Sequence, residues 1–188
     1  HMQTLVSELF DYASSRQTTY VIEPSKIQIK LFLEQLAADF ELAAEEKGMT
    51  LEVSVEPVKL MGCFDVEKMA RVFNNLIVNA LKYGHGASVI KLKAYYKAQE
   101  PQNDPIIIYE VRNNGALLSN DDLNNIFNRT YRTDQSRHSD EPGTGLGLSI
   151  VKNIVELHGG HVYALVDADE LVFRIEMLQT YKLGEPNE

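Results

Sequence analysis

The sequence lacks a second cysteine, a long apolar run and an excess of positive charge, and each absence excludes a class of protein. With Cys63 as the single cysteine, no internal disulfide can form, and the composition fits a reducing cytosol. No apolar run approaches the roughly 20 residues of a membrane-spanning helix, and the start has no signal-peptide pattern, so we expect a soluble chain. The formal net charge of −9 argues against a general nucleic-acid binder, because it would repel the phosphate backbone.

What the chain does contain suits one globular domain. Its 188 residues are 44% hydrophobic and 24% charged, enough to build a real core. We interpret residues 1–2 as the remnant of an expression tag, 3–19 as a short helix with a polar linker, 20–180 as the domain and 181–188 as a tail.

Periodicity predicts the elements of the domain. Apolar residues at helical spacing predict helices over residues 27–47, from a cap at Asp65 to Gly84, within 118–127 and from 147 to 158. Alternating patterns predict strands at 20–24, 50–55, 88–96, 106–111, 161–166 and 171–178, and the polar stretch 130–142 should be a mobile loop. The predicted fold class is α+β: a two-layer sandwich in which three helices cover one face of a mostly antiparallel, mixed sheet of five to six strands.

A glycine segment gives the strongest signal of function. It places glycine at every second position and leads into a helix, with the sequence Gly143, Thr144, Gly145, Leu146, Gly147, Leu148. Glycine permits close approach of the backbone, and free amides at a helix start attract phosphate. An ordinary flexible turn before a helix is the alternative explanation.

A polar stripe on the second helix gives the next signal. Asn75, Asn79, Lys82 and Tyr83 fall at i, i+4, i+7 and i+8, beside the apolar stripe. Asparagine is a poor residue for a helix interior, and an amide oxygen can occupy one position around Mg²⁺. A solvent-exposed face with incidental polar residues would explain the stripe equally well.

Taken together, these segments resemble a known family, the sensor histidine kinases of the GHKL ATPase superfamily with the Bergerat ATP-binding fold. Residues 75–83 resemble its N box, 111–118 its G1 box, 126–132 its F box and 143–148 its G2 box, in the family's order and spacing. The similarity spans about residues 20–178, and 5–15 resembles the end of the second helix of the family's dimerisation and phosphotransfer hairpin. The G1 and F-box segments are most similar to vancomycin-resistance sensors of the VanS type.

The resemblance implies ATP and Mg²⁺ as cofactors and a role for each matching residue. Asn79 would bind Mg²⁺, and Asn75 would touch phosphate or metal-bound water. Lys82 and Arg132 would neutralise the phosphates as the catalytic residues, and Tyr83 would lie near the adenine. Asn113 and Gly115 would belong to the base-binding loop. The segment 143–148 would fold over the triphosphate as part of a lid, with Leu146 and Leu148 packing below it.

Three positions depart from the family pattern. Asn113 replaces the aspartate that accepts a hydrogen bond from the adenine amino group, which predicts binding weaker by about 1 kcal/mol, roughly fivefold. Leu117 replaces the second glycine of the G1 box and could narrow the mouth of the site. Thr130 replaces the usual aromatic residue of the F box.

The resemblance also predicts what this chain cannot do alone. Asn75 stands where ATP-hydrolysing relatives have a glutamate base, so the γ-phosphate should await a histidine on the hairpin, upstream of residue 3. The five histidines do not fit that role, and no self-phosphorylation is expected of His1, His85, His138, His158 or His161. The domain should be monomeric and cytoplasmic, and its parent should be membrane-anchored and signal to a response regulator.

Two other functions remain possible at this stage. A degenerate domain with the same fold could serve as a protein-interaction module with weak or no nucleotide binding, which Asn113 and Leu117 would favour. An ATP-hydrolysing clamp of the chaperone or topoisomerase kind would need the glutamate that Asn75 replaces.

Overall fold

A five-stranded sheet, a two-stranded ribbon and four helices occupy the parts of the chain that the computed structural model describes, residues 21–97, 105–133 and 145–178. In chain order the elements are β1 (Ser25–Gln28), α1 (Ile29–Glu45), β2 (Thr50–Glu56), β3 (Met61–Phe64), α2 (Val66–Tyr83), β4 (Val89–Tyr96), β5 (Ile106–Asn113), α3 (Asn120–Asn125), α4 (Gly147–Leu157), β6 (His161–Asp167) and β7 (Glu170–Leu178).

The sheet has the order β2-β4-β5-β7-β6, with β1 and β3 forming the separate ribbon. The pair β2–β4 is parallel, because the chain between them crosses back through β3 and α2. All other neighbours are antiparallel, and β6 and β7 join through a tight turn where Ala168 and Asp169 have φ of 47° and 62°. This order places the end of β5 beside the start of β7, so Asn113 pairs with Leu171 although they are far apart in the chain.

The two faces of the sheet differ in chemistry. On the face covered by helices, Leu92, Tyr109 and Phe173 are buried in the apolar core, and the Tyr109 ring meets Phe73 of α2 edge-on at 6.0 Å. On the opposite face, Glu110 and Arg174 form ion pairs. This alternation along β5 and β7 is the two-residue period expected of a sheet with one face in the core.

Helix α2 carries the polar stripe predicted above, and its own sequence determines where it begins, which face is buried and where it ends. Asp65 caps it, since its carboxylate accepts a hydrogen bond from the Lys68 N–H at 3.1 Å. The apolar stripe is buried against the sheet and the other helices, and its members include Met69, Val72, Phe73, Leu76 and Ala80. Gly84 ends the helix, with its N–H bonded to the Ala80 carbonyl at 2.9 Å.

The predicted fold class is confirmed, and so are most of the elements. Asp65 caps α2 as expected, Ser119 caps α3, and the other predicted helices and strands agree with the structure to within about two residues. The strand predicted at 20–24 is wrong, because Pro24 precedes the strand instead of ending it. A proline fits there since it has no N–H to offer a ladder. The partner strand β3 was not predicted, because four residues are too few for a clear pattern.

Several predictions fall on residues outside the described ranges. These are the short helix with its polar linker at 3–19, the tail at 181–188, and the loop 130–142 apart from residues 130–133. Among the helices that the structure describes, none has both the length and the apolarity that a membrane span requires.

Candidate nucleotide-binding site

An open cleft lies where the last turns of α2, the loop after β5, the start of α4 and the segment after α3 meet. Its lining brings together residues from all four sequence segments singled out above. The predicted site residues that line it are Asn75, Asn79, Lys82, Tyr83, Asn113, Arg132, Gly145, Gly147 and Leu148. Gly115 and Leu146 are described but do not line the cleft, and Gly143 and Thr144 lie outside the described residues.

The polar stripe of α2 forms one wall. The Asn75 side-chain N–H₂ donates to the Arg71 carbonyl at 2.8 Å, one turn earlier, which fixes the amide and leaves Oδ1 directed at α4. Asn79 follows one turn later on the same wall. Lys82 is half-buried and forms no salt bridge with any other residue that the structure describes, so its ammonium charge is available to an anion.

The described part of the glycine segment forms the facing wall. Gly145 has φ of +71°, a left-handed conformation that favours glycine, and the chain passes close to Arg132 there. Gly147 is the first residue of α4, and a methyl group on it would lie 2.8 Å from Oδ1 of Asn75. Leu146 instead caps the helix, and its carbonyl accepts the Ser149 hydroxyl at 2.8 Å.

The loop after β5 closes one end of the cleft. Asn113 is 2% exposed, and its Nδ2 has no hydrogen-bond partner among the described residues. Gly115 lies behind it, where an added Cβ would come within 2.8 Å of the Gly84 backbone, so its role is to let the loop approach the end of α2. Asn114 anchors the same loop by accepting the N–H groups of Ser88 at 2.9 Å and Val89 at 3.1 Å.

An apolar wall, which the sequence did not predict, completes the cleft. It includes Leu118, Ile126, Leu171 and Phe173. Such a surface suits one face of a flat ring. The expectation that Leu117 narrows the mouth is wrong, because this side chain is 42% exposed and does not line the cleft.

Two further differences concern the segment after α3. Thr130, which stands at the place of the usual aromatic, takes a left-handed conformation with φ of 59°. The next residue, Tyr131, lines the cleft and donates its hydroxyl to Asp122 at 3.0 Å. The hydrogen bond from the Ser119 hydroxyl, with a smaller effect of this bond from Tyr131, holds the pKa of Asp122 below its usual value.

The described lining of the cleft is positively charged, whereas the chain as a whole is negative. Lys82 and Arg132 are the cations of the cleft, and the described lining contains no aspartate or glutamate, although the chain carries −9 overall. The described residues also contain no cluster of histidine, cysteine and carboxylate side chains that could hold a metal alone. Mg²⁺ fits such a site only when the ligand's phosphates and water supply most of its oxygens, with amide oxygens such as those of Asn79 and Asn75 added.

Comparison with known proteins gives one family and several relatives. Residues 64–180 match the family model described as histidine kinase-, DNA gyrase B- and HSP90-like ATPase. The chain is 31% identical over 176 residues to the sensor protein VanSC of Enterococcus gallinarum and 32% identical over 178 residues to the sensor protein VanS of Enterococcus faecium. Each alignment covers 94% of this chain but only 46% and 44% of the relatives, so the chain spans less than half of their length.

A solved structure shares the fold. Full-length ShkA in complex with AMPPNP superposes with a TM-score of 0.80 over 96% of this chain and 36% of that one. The sequence identity is 22%, so the similarity is one of architecture.

Proposed function

The chain belongs to the family of histidine kinase-, DNA gyrase B- and HSP90-like ATPases, and from this premise we propose that it is the ATP-binding catalytic domain of a sensor histidine kinase. In this proposal it binds ATP with Mg²⁺ and transfers the γ-phosphate to a histidine on a separate hairpin domain. VanSC and VanS, the two relatives described above, are both named sensor proteins. The parent protein would be anchored in the bacterial membrane, hold this domain in the cytoplasm and pass the phosphate to a response regulator.

One observation carries the proposal. The polar stripe of α2 and the start of α4, which are separate signals in the sequence, face each other across a cleft with two cations and no described carboxylate. Asn75 and Gly147 lie close together, since a Cβ added to Gly147 would be 2.8 Å from Oδ1 of Asn75. A triphosphate needs this combination of positive charge and free amide groups, because both stabilise negative oxygens.

Different residues of the cleft contact different parts of the nucleotide in this proposal. Lys82 and Arg132 neutralise the phosphates, while the apolar wall with Leu171 and Phe173 receives the base. Asn79, with Asn75 through water, would hold Mg²⁺, which supplies further neutralisation of the phosphate charge.

The described lining of the cleft contains no carboxylate base that would activate water at the reacting phosphate. The amide of Asn75 cannot accept a proton, so hydrolysis is slow and the nucleotide waits for a better acceptor. A neutral imidazole nitrogen then attacks the γ-phosphorus in line. A P–N bond forms as the bond to the bridging oxygen breaks, and ADP leaves with the electron pair.

Binding of a non-hydrolysable ATP analogue tests the proposal. We expect titration calorimetry to detect Mg²⁺-dependent binding, and Asn79→Ala to weaken it by about tenfold or more, as loss of a metal contact does. Asn74→Ala is the matched control, because Asn74 lies on the same helix but is exposed and outside the cleft. The proposal fails if the unmodified chain shows no binding at millimolar analogue.

Incubation with γ-labelled ATP tests the transfer step. We expect no stable label on this chain. We also expect the chain to be monomeric. His158 is buried and both of its ring nitrogens are bonded, while His161 is exposed at the start of β6 and outside the cleft. His85 does line the cleft, so it is the residue to examine if label appears. Steady release of phosphate would instead favour an ATP-hydrolysing clamp.

A further inference from the structure

The amide of Asn113 is buried at the base end of the cleft with a donor unused. Asn113 is the last residue of β5, in the middle of the sheet, paired with Ile90 on one side and Leu171 on the other. The residue is 2% exposed, and its Nδ2 has no hydrogen-bond partner among the described residues. Leaving a buried polar group unpaired is costly, so native proteins rarely do so without a reason. A ligand that brings its own partner for this amide would remove that cost.

The surroundings keep this amide available. The described lining of the cleft contains no carboxylate that could capture the Nδ2 hydrogens. A Cβ on Gly84 would lie 3.3 Å from Nδ2, so the glycine leaves open the space beside the amide. The backbone of Asn113 is held by strands on both sides, so a ligand would be met by its side-chain amide.

An amide and a carboxylate read a purine ring differently. A carboxylate only accepts hydrogen bonds, so at this position it selects the 6-amino group of adenine and opposes a 6-oxo group. An asparagine accepts through Oδ1 and donates through Nδ2, and a half-turn of the amide exchanges the two. The same side chain therefore satisfies either an amino or an oxo group at position 6 of the purine.

We propose that Asn113 is a specificity-determining residue that lets the cleft bind 6-oxopurine nucleotides, of the inosine and guanosine type, as well as adenosine nucleotides. This inference rests on the proposed nucleotide-binding function and adds the range of bases that the site takes. Inosine triphosphate is the sharpest probe, because it has an oxo group in place of the amino group of ATP and adds no 2-amino group.

Titration calorimetry with Mg²⁺ and the β,γ-imido analogues of ATP, ITP and CTP tests the inference on the 188-residue chain. We expect the dissociation constants for the ATP and ITP analogues to agree within about threefold, because both bonds are neutral. The CTP analogue should bind at least about tenfold more weakly, since it lacks the purine edge. Asn113→Asp, measured at pH 8 to keep the carboxylate ionised, should bind the ATP analogue about fivefold more tightly and the ITP analogue at least about thirtyfold more weakly than ATP.

Asn74→Asp is the matched control, because it adds the same charge on an exposed part of α2. In this variant the affinities for the ITP and CTP analogues, each relative to the ATP analogue, should be the same as in the unmodified chain. Tight ATP binding with ITP more than about thirtyfold weaker in the unmodified chain overturns the inference and leaves the proposed function standing. Equal binding of the CTP analogue also overturns it, because the base is then not read. If none of the three analogues binds, both the inference and the proposed function are wrong. The comparison within the unmodified chain remains decisive even if the Asn113→Asp protein does not fold.

Discussion

Gly147, at the start of α4, lies beside Asn75 of α2. A Cβ there would lie 2.8 Å from Oδ1 of Asn75, the free end of a side chain whose nitrogen is tied to the Arg71 carbonyl. We expect Gly147→Ala to leave the free energy of unfolding within about 1 kcal/mol, because alanine favours the helix and only a side-chain end must move. Nucleotide binding should weaken about fivefold or more, since Asn75 is displaced, as calorimetry with the ATP analogue would measure.

A double-mutant cycle separates this effect from a general disturbance of α4. In an Asn75→Ala background the clash no longer exists, so adding Gly147→Ala should change binding little further. If the two losses of binding free energy simply add, Gly147 acts on the nucleotide by some route other than Asn75.

At the next scale, His158 joins two helices. It is the residue that ends α4, and its Nε2 accepts the backbone N–H of Asp65, which caps α2, at 3.1 Å. Its Nδ1 lies 2.8 Å from the Ile154 carbonyl and therefore carries the hydrogen. The Nε2 bond requires the neutral ring, because a proton on Nε2 would face the Asp65 N–H, whereas the bond from Nδ1 to the Ile154 carbonyl is compatible with either form of the ring. Burial lowers the pKa of His158 below its usual 6.5, because the protonated ring would lose its hydration.

The pKa shift predicts a loss of stability in mild acid. Below pH 6.5 the unfolded chain binds a proton on this histidine that the folded chain does not bind. The free energy of unfolding therefore decreases as the pH decreases. From this residue we expect a loss of about 1 kcal/mol between pH 7.5 and 5.5, measured by urea unfolding at each pH. His158→Gln should be less stable at pH 7.5 but lose less on acidification. The exposed His161→Gln should decline as the unmodified chain does, and an identical decline in His158→Gln would contradict the prediction.

The elements that build the site were predictable because their signals are local. The cap at Asp65, the two stripes of α2 and the glycines at 145 and 147 each lie within a few turns of chain. The apolar wall could not be predicted in the same way. Leu171 and Phe173 reach the cleft only because β7 lies beside β5, and the sequence does not state that strand order. The short β1–β3 ribbon was missed since pairing distant in sequence, rather than its own pattern, creates it.

On the scale of the whole molecule, the sheet separates an apolar core from an ionic layer. Glu110 is the centre of that layer and is 1% exposed. Its carboxylate accepts bonds from Arg112 at 2.9 Å, from Arg174 at 2.7 Å and from the Tyr95 hydroxyl at 2.9 Å. Arg112 also reaches Asp167 and Glu170, so the layer ties β4, β5, β6 and β7 together on the side that the helices leave open.

Removing the charge of the buried Glu110 carboxylate should lower the free energy of unfolding more than removing a surface charge does. Burial alone would raise the pKa of Glu110, but the hydrogen bonds from Arg112, Tyr95 and Arg174 overcome it and lower that pKa. The stabilisation is therefore fully present above the ordinary pKa of glutamate and is lost as the pH falls from there through the lowered pKa of the folded state. Glu110→Gln keeps the shape and removes the charge, leaving two arginines to face a neutral amide.

We expect Glu110→Gln to lower the free energy of unfolding by about 3 kcal/mol, because removing one partner of a buried ion pair leaves the other uncompensated. Urea unfolding at pH 7.5 measures the loss. Glu34→Gln is the matched control, since Glu34 pairs with Lys30 on the surface of α1 at 3.6 Å, and it should cost no more than about 0.5 kcal/mol. Because Glu110 faces away from the cleft, binding of the ATP analogue by the folded variant should be unchanged. Equal costs for the two variants would mean that solvent screens the ionic layer as it screens a surface pair, and that the apolar core alone holds the strands of the sheet together.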